Sequence, residues 1–359
     1  MTDNTVNNFR IGVDVGGTKI EAALVDATGA VLNSARIPAR HGNAAVVEDI
    51  VSVARQAAGT RFDEVSAIGI GTPGTVDSAT GHVGNIVNLD VVSLDMGPEV
   101  SRLAGVPVHV ENDVNAAAVG AAVLLGGADG LDGTIAFLNF GTGLAAGIVQ
   151  NGVLLHGYSG AAGEIGHIPV EPHRLKCPCG QYGCLETVCS GAAVGRLWPN
   201  ADPPMPDLIR CASRREAKAV DVLDMVVRAI GDTIQILAQS VDPRLIVLGG
   251  GMAKTGEPLV EVITAELRRR ESQCRFLESL DAHRFCRRVF VWPQRASRWG
   301  PSERLWPHSA ATRCWLSDYL ARYWSSTAMA SPCTVMSGPH SQRLITVCLW
   351  KDDDVLASR

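Results

Sequence analysis

One short pattern occurs twice, and it constrains the fold more than any other feature of the chain. A β-rich run, Phe9–Val15, ends in Asp14-Val15-Gly16-Gly17-Thr18; a second run follows at Lys19–Val25, and the turn Asp26-Ala27-Thr28-Gly29 leads to a third, Ala30–Pro38. Later, Thr134–Phe140 ends in Gly141-Thr142-Gly143, Leu144–Val149 returns, and the hairpin dipeptide Asn151-Gly152 leads to Val153–His156. Strand runs broken by tight glycine turns read as antiparallel meanders. The duplication is more telling than either copy alone. Around the meanders the spacing predicts a helix over Asn43–Ala58, short strands at Val65–Ile70 and Val106–Val110, and an Ala-rich helix Val114–Leu125. A helix near Val220–Ser240, a strand Leu245–Leu248 and a helix to about Arg270 follow. At 359 residues the chain is long enough for two domains.

A turn between two strands can aim several backbone N–H groups at one point. Glycine permits positive φ angles there and lets a phosphate approach the backbone. Thr18 and Thr142 can each add a hydroxyl donor. Asp14, at a strand end, is placed to hold Mg²⁺ through water. Either motif alone reads equally as an ordinary hairpin turn; the pair, in matching strand contexts, points to phosphate. No G-x-x-x-x-G-K-[ST] loop occurs, and no G-x-G-x-x-G opens a helix after a strand.

Asp14-Val15-Gly16-Gly17-Thr18-Lys19 and Phe140-Gly141-Thr142-Gly143 together resemble the two phosphate loops of the actin-like ATPase superfold, in its ROK branch of sugar kinases and related repressors. The resemblance covers roughly residues 9–272. It implies two duplicated ribonuclease H-like α/β domains around a central cleft, with ATP in the cleft and the sugar deeper in. Domain limits of 1–120 and 121–283 are expected. ATP would be held by Asp14, Gly16, Gly17, Thr18, Lys19, Gly141, Thr142 and Gly143. Gly249-Gly250-Gly251, at a strand end before a helix, is similar to the family's adenosine-side motif, and it also reads as a tight strand-to-helix turn.

A sugar hydroxyl is a poor nucleophile, and a carboxylate that takes its proton lowers the barrier to attack on phosphorus. Glu111-Asn112-Asp113-Val114-Asn115-Ala116 puts such a carboxylate between a strand end and a helix start. On the residues alone Asp113 reads equally as the helix cap. The match to the ROK pattern E-N-D-x-N-A implies that Asp113 is the general base and Asn112 a sugar ligand. Gly163-Glu164-Ile165-Gly166-His167 matches the family's G-E-x-G-H signature, which implies sugar contacts from Glu164 and His167. Gly71-Thr72-Pro73-Gly74 resembles a turn lining the sugar pocket, with Gly74 as a contact, and Asn88 resembles the start of a sugar loop. Many glucose-specific members continue that loop as Pro-Gly-Trp; this chain has Asp90-Val91-Val92. The resemblance implies transfer from ATP to a hexose, with the 6-hydroxyl of glucose as the first assignment. Mannose, fructose, N-acetylmannosamine and N-acetylglucosamine remain open.

Cys177-Pro178-Cys179-Gly180-Gln181-Tyr182-Gly183-Cys184 places three thiols within eight residues. Closely spaced cysteines supply several ligands of a tetrahedral Zn²⁺ from one loop; free or redox thiols are the alternative. The family pattern makes His167 the fourth ligand, with His173 as a rival, and gives Glu186 a further sugar contact. An ion with four protein ligands would be structural.

Composition breaks near residue 284. From Arg284 onward there are 11 Lys and Arg against 5 Asp and Glu, whereas the residues before it carry 21 against 32. Six of the seven Trp, but two of the 37 Gly, lie after the break. Residues 284–359 are therefore expected to be an atypical tail, read out of frame or disordered, with a genuine added domain as the competing view. The overall net charge of −5 argues against a nucleic-acid partner. No apolar run spans a bilayer and the first ten residues lack a signal-peptide core, so a cytoplasmic location is expected. Only eight residues precede the first strand, which leaves little room for the DNA-binding helices of a ROK repressor. A catalytically impaired or non-enzymatic sugar-binding protein stays open. Relatives often form homodimers, but no residue pattern marks an interface.

Overall fold

The computed structural model describes residues 9–27, 29–125, 132–279 and 290–291. They form two compact units, 9–125 and 132–291. The division follows a continuous helix through Leu125, so it falls after that helix rather than at residue 120. Apart from residues 290–291, the tail singled out by composition lies outside the described residues.

The first unit opens with the expected meander: β1 (Phe9–Val15), β2 (Lys19–Val25) and β3 (Val31–Pro38), paired antiparallel. Helix α1 (Asn43–Ala58) follows, then β4 (Val65–Thr72). Next come three short strands, β5 (Thr75–Asp77), β6 (His82–Ile86) and β7 (Val91–Leu94). The unit closes with α2 (Met96–Ala104), β8 (Val108–Asn112) and α3 (Asp113–Leu125). The main sheet has the order β3-β2-β1-β4-β8, with β4 parallel to both β1 and β8. Ile11, Val13 and Val15 alternate into the core, as a half-buried strand requires. On α1, Val46, Val47, Ile50, Val53, Ala54 and Ala57 recur at helical spacing and are buried against that face. Register sets the functional end of the sheet: Asp14 lies opposite Gly71, and Thr72 opposite Asn112. The carboxyl ends of β1, β4 and β8 therefore share one edge.

The second unit repeats this order. A meander of β9 (Thr134–Phe140), β10 (Leu144–Gln150) and β11 (Val153–Leu154) is followed by α4 (Glu186–Cys189), α5 (Gly191–Leu197), α6 (Pro204–Ser213) and α7 (Ala217–Val241). Then come β12 (Leu245–Gly249), α8 (Gly250–Ala253), α9 (Glu257–Glu271), α10 (Arg275–Ser279) and β13 (Phe290–Val291). The sheet order is β11-β10-β9-β12-β13, with β12 parallel to β9 and β13. Both sheets thus read third-second-first-fourth-fifth, an antiparallel meander extended by two parallel strands. Phe290–Val291 fall beyond the composition break and still add the fifth strand, pairing the otherwise open edge of β12. Helix α7 buries Ala219, Val222, Val226, Ala229, Ile230, Ile234 and Leu237, one stripe of a 3.6-residue repeat.

Candidate active site

In the first unit, the turn after β1 is closed by the Gly16 N–H donating to the Lys19 carbonyl at 2.9 Å. The glycines serve close approach rather than the positive φ anticipated from sequence, since neither Gly16 nor Gly17 has one. A β-carbon on Gly17 would lie 2.8 Å from the Asn88 Cβ. Asn88, assigned to a sugar loop, therefore sits directly on the first turn. The Thr18 side chain is exposed. Lys19 has its ammonium 3.3 Å from the Glu21 carboxylate, which also meets Arg36, so its side chain is engaged along β2.

The chain leaving β8 shows how Asp113 is held. The Asn112 Oδ1 accepts the N–H groups of Val114 (3.0 Å) and Asn115 (3.3 Å). Asn112 is thus the cap of α3, and the sequence alternative in which Asp113 only caps the helix does not describe this turn. Asp113 is the first helical residue, half-buried, and its Oδ1 accepts the Val114 N–H at 2.9 Å. Beneath it lies Glu111, 5% exposed. Its Oε1 accepts the Asn112 N–H (2.9 Å) and the Asn115 side-chain amide (3.2 Å), while Oε2 accepts the Ser78 hydroxyl at 2.9 Å. Sequence reasoning gave no role to Glu111 or Ser78; a glutamate at the buried end of a strand was the available signal for the first. Gly74 has φ of 93°, and a β-carbon there would lie 2.5 Å from the Gly84 carbonyl oxygen, so its glycine serves the β5–β6 packing.

In the second unit, Thr142 is exposed at the tip of its turn, as Thr18 is in the first. The glycine run after β12 stands at the same end of the sheet, because Gly249 is in register with Asn139. Gly250 has φ of 80° and its backbone lies against Phe140 and the Asn139 side chain, so the glycine run after β12 and the second turn are neighbours. Asn139, which sequence reasoning missed, stands between them.

The Gly163–His167 loop is laid on β10. The Ala146 N–H donates to the Gly163 carbonyl at 2.8 Å, and β-carbons on Gly163 and Gly166 would collide with the carbonyl oxygens of Ala146 and Leu144. Gly163 also has φ of 94°. Neither neighbour is a flexible side chain, so Gly163→Ala is expected to cost about 3 kcal/mol or more from overpacking and left-handed strain together. A thermal unfolding midpoint equal to wild type would refute this placement of the loop. The packing presents Glu164 exposed and His167 half-buried.

His167, Cys177, Cys179 and Cys184 bring their ligand atoms within 4.8 Å of one another. The Cys177 Sγ lies 3.8 Å from the His167 Nδ1, and the Cys179 Sγ lies 3.7 Å from the Cys184 Sγ. Two thiolates at about 2.3 Å from a tetrahedral ion would be about 3.8 Å apart, so the donor set fits a thiophilic cation such as Zn²⁺. His173 is instead 4.0 Å from Glu171 and does not join the cluster. The turn is tied by the Cys177 N–H to the Gln181 carbonyl at 2.8 Å. Burial pushes the Cys184 thiol up to about 12 and raises Cys177, whereas the Gln181 backbone N–H brings Cys179 down to about 7. A bound cation would hold all three as thiolates. Among the described residues no helix is long and apolar enough to cross a membrane.

Comparison with known proteins shows what the chain as a whole is similar to. The model of the ROK family matches residues 10–277. A glucokinase of Halalkalibacterium halodurans is 32% identical over 280 residues, covering 72% of this chain and 84% of that protein. A ROK family glucokinase from Streptomyces griseus, solved with glucose and AMPPNP, superposes with a TM-score of 0.60 at 32% identity, covering 73% of this chain and 89% of that one. A ROK family transcriptional regulator superposes with a TM-score of 0.64 at 26% identity, covering 79% of each chain.

Proposed function

The chain belongs to the ROK family, and on that premise we propose that it is an ATP-dependent hexose kinase with Asp113 as general base. That it is a sugar kinase carrying the duplicated α/β fold of the actin-like ATPases follows from its relatives. The sugar, the hydroxyl and the residue roles are our reading.

One observation carries that reading. Asn112 caps α3 and shares the Val114 N–H with Asp113, so the Asp113 carboxylate is held in place where the strand passes into the helix. In this position it takes the proton of a sugar hydroxyl as the bond to the γ-phosphorus forms. Asn112, with its oxygen committed to the cap, offers its NH₂ end to the sugar; Glu164, the Nε2 of His167 and Glu186 offer further partners. The turns Asp14–Thr18 and Gly141–Gly143 offer backbone N–H groups and threonine hydroxyls to the nucleotide phosphates. Gly249–Gly251 serve the adenosine end. Mg²⁺ near Asp14 would neutralise charge developing on the phosphate oxygens. Zn²⁺ held by His167, Cys177, Cys179 and Cys184 would fix the loop and orient His167, with no position left open for water.

The family holds regulators as well as kinases, so activity itself is the discriminating measurement. ADP release should depend on sugar for at least one member of a panel of glucose, mannose, fructose, N-acetylglucosamine and N-acetylmannosamine. Glucose is the first choice, because relatives named glucokinase match over most of their length. Sugar binding without ADP release across the whole panel would make the chain a binding or regulatory protein.

A further inference from the structure

Glu186 follows the last metal-site cysteine by two residues and begins α4. Its carboxylate has a duty that the sugar assignment does not explain. The Oε2 accepts the backbone N–H of Leu144 at 2.9 Å, where β10 leaves the second phosphate turn. A β-carbon on Gly143 would stand 2.6 Å from the same oxygen, so that oxygen presses directly against the turn. The other end of the turn is held by the same stretch of chain: the Gly191 N–H donates to the Gly141 carbonyl at 2.8 Å. Between these two ties the segment is packed into the core. The Thr187 hydroxyl donates to the Cys184 carbonyl at 2.7 Å, and Leu185, Thr187, Val188 and Cys189 are buried.

We propose that Glu186 is a positioning residue for the nucleotide, bracing the Gly141–Gly143 turn against the cysteine loop. The proposal rests on reading that turn as a phosphate site. Which backbone N–H groups a turn can offer to an anion depends on which are already satisfied and on how the turn is held. Glu186 takes the Leu144 N–H out of the available set and, with Gly191, fixes the orientation of the groups at 141–143. The tie depends on an accepting oxygen at the reach of this side chain, 2.9 Å from the Leu144 nitrogen, more than on its charge.

The test is nucleotide affinity without sugar, read by calorimetry with magnesium AMPPNP on the full chain. Glu186→Ala removes the accepting oxygen, and Glu186→Asp keeps the charge but falls short of the Leu144 N–H. Both are expected to weaken binding roughly tenfold or more. Glu186→Gln keeps an accepting oxygen at the same reach and should restore most of the affinity. Metal content and thermal midpoint, read in parallel, identify a variant that has not folded; the Asp and Gln pair then carries the comparison. A residue that contacts only sugar would leave sugar-free nucleotide binding equal in all variants, and that result overturns the proposal while leaving the kinase reading intact. A wild-type chain that binds no AMPPNP would instead remove the phosphate reading of the turn.

Discussion

Asp113→Asn is expected to lower kcat for sugar-dependent ADP release by about 10²–10⁴-fold, the usual contribution of a general base. The KM for the sugar should change by only a few-fold. The substitution is nearly isosteric, and an asparagine oxygen can still accept the Val114 N–H that Asp113 accepts at 2.9 Å. Helix α3 keeps its cap because Asn112 supplies it. The turn also keeps its foundation, since Glu111 holds the Asn112 N–H, the Asn115 amide and the Ser78 hydroxyl from below. What is lost is the ability to accept a proton in the transition state, and such a loss appears in kcat and kcat/KM together. Steady-state kinetics on the sugar that wild type uses best, with the thermal midpoint as a control for folding, make the measurement. A variant with kcat within threefold of wild type would remove Asp113 from its assigned role.

Removing the metal should be nearly as damaging, by a different route. The purified chain is expected to carry about one zinc per molecule, and Cys184→Ser to carry almost none. Binding free energies of structural zinc in small peptides, about 10–16 kcal/mol, exceed what a loop of this size could gain from packing alone. Without an ion, three thiols, two of them buried, and one imidazole would stand with ligand atoms within 4.8 Å of one another and no shared centre to hold them there. The effect would reach the sugar through His167, whose Nδ1 faces the Cys177 sulfur while the same ring is assigned to substrate. Loss of a group that orients a ligating side chain typically costs 10–100-fold, so a drop in kcat/KM of at least tenfold is expected. Cys274→Ser, at an exposed thiol outside the cluster, should be silent. Retention also has a direction in pH. The thiolates compete with protons for the ion, so zinc is held more weakly as pH falls. Elemental analysis across a dialysis series would show this, and full activity in a metal-free sample would refute the structural assignment.

Local chemistry was readable in the amino-acid sequence. The repeated strand–glycine turn–strand pattern became two sheets of identical order, because turn residues and strand alternation act over a few neighbouring positions. The cysteine spacing at 177, 179 and 184 announced a cluster of thiols for the same reason. The three-stranded β5–β7 sheet was not foreseen. Its strands are only three to five residues long, and the sheet gains support from α1, α2 and β8 rather than from its own sequence pattern.

The duties of particular side chains were decided later still. His167 rather than His173 joins the cysteines because the loop before it is laid on β10. Gly17 and Gly143 are small to admit Asn88 and Glu186, residues 71 and 43 positions further along the chain. Glu111 reaches Ser78 and Glu186 reaches Leu144 across separations of 33 and 42 residues. The amino-acid sequence by itself therefore determined the meanders, their glycine turns and the cysteine loop, since each depends on adjacent residues. Only the tertiary structure decided which distant carboxylates brace those turns, because sheet register and helix packing set the distances between residues far apart in the chain.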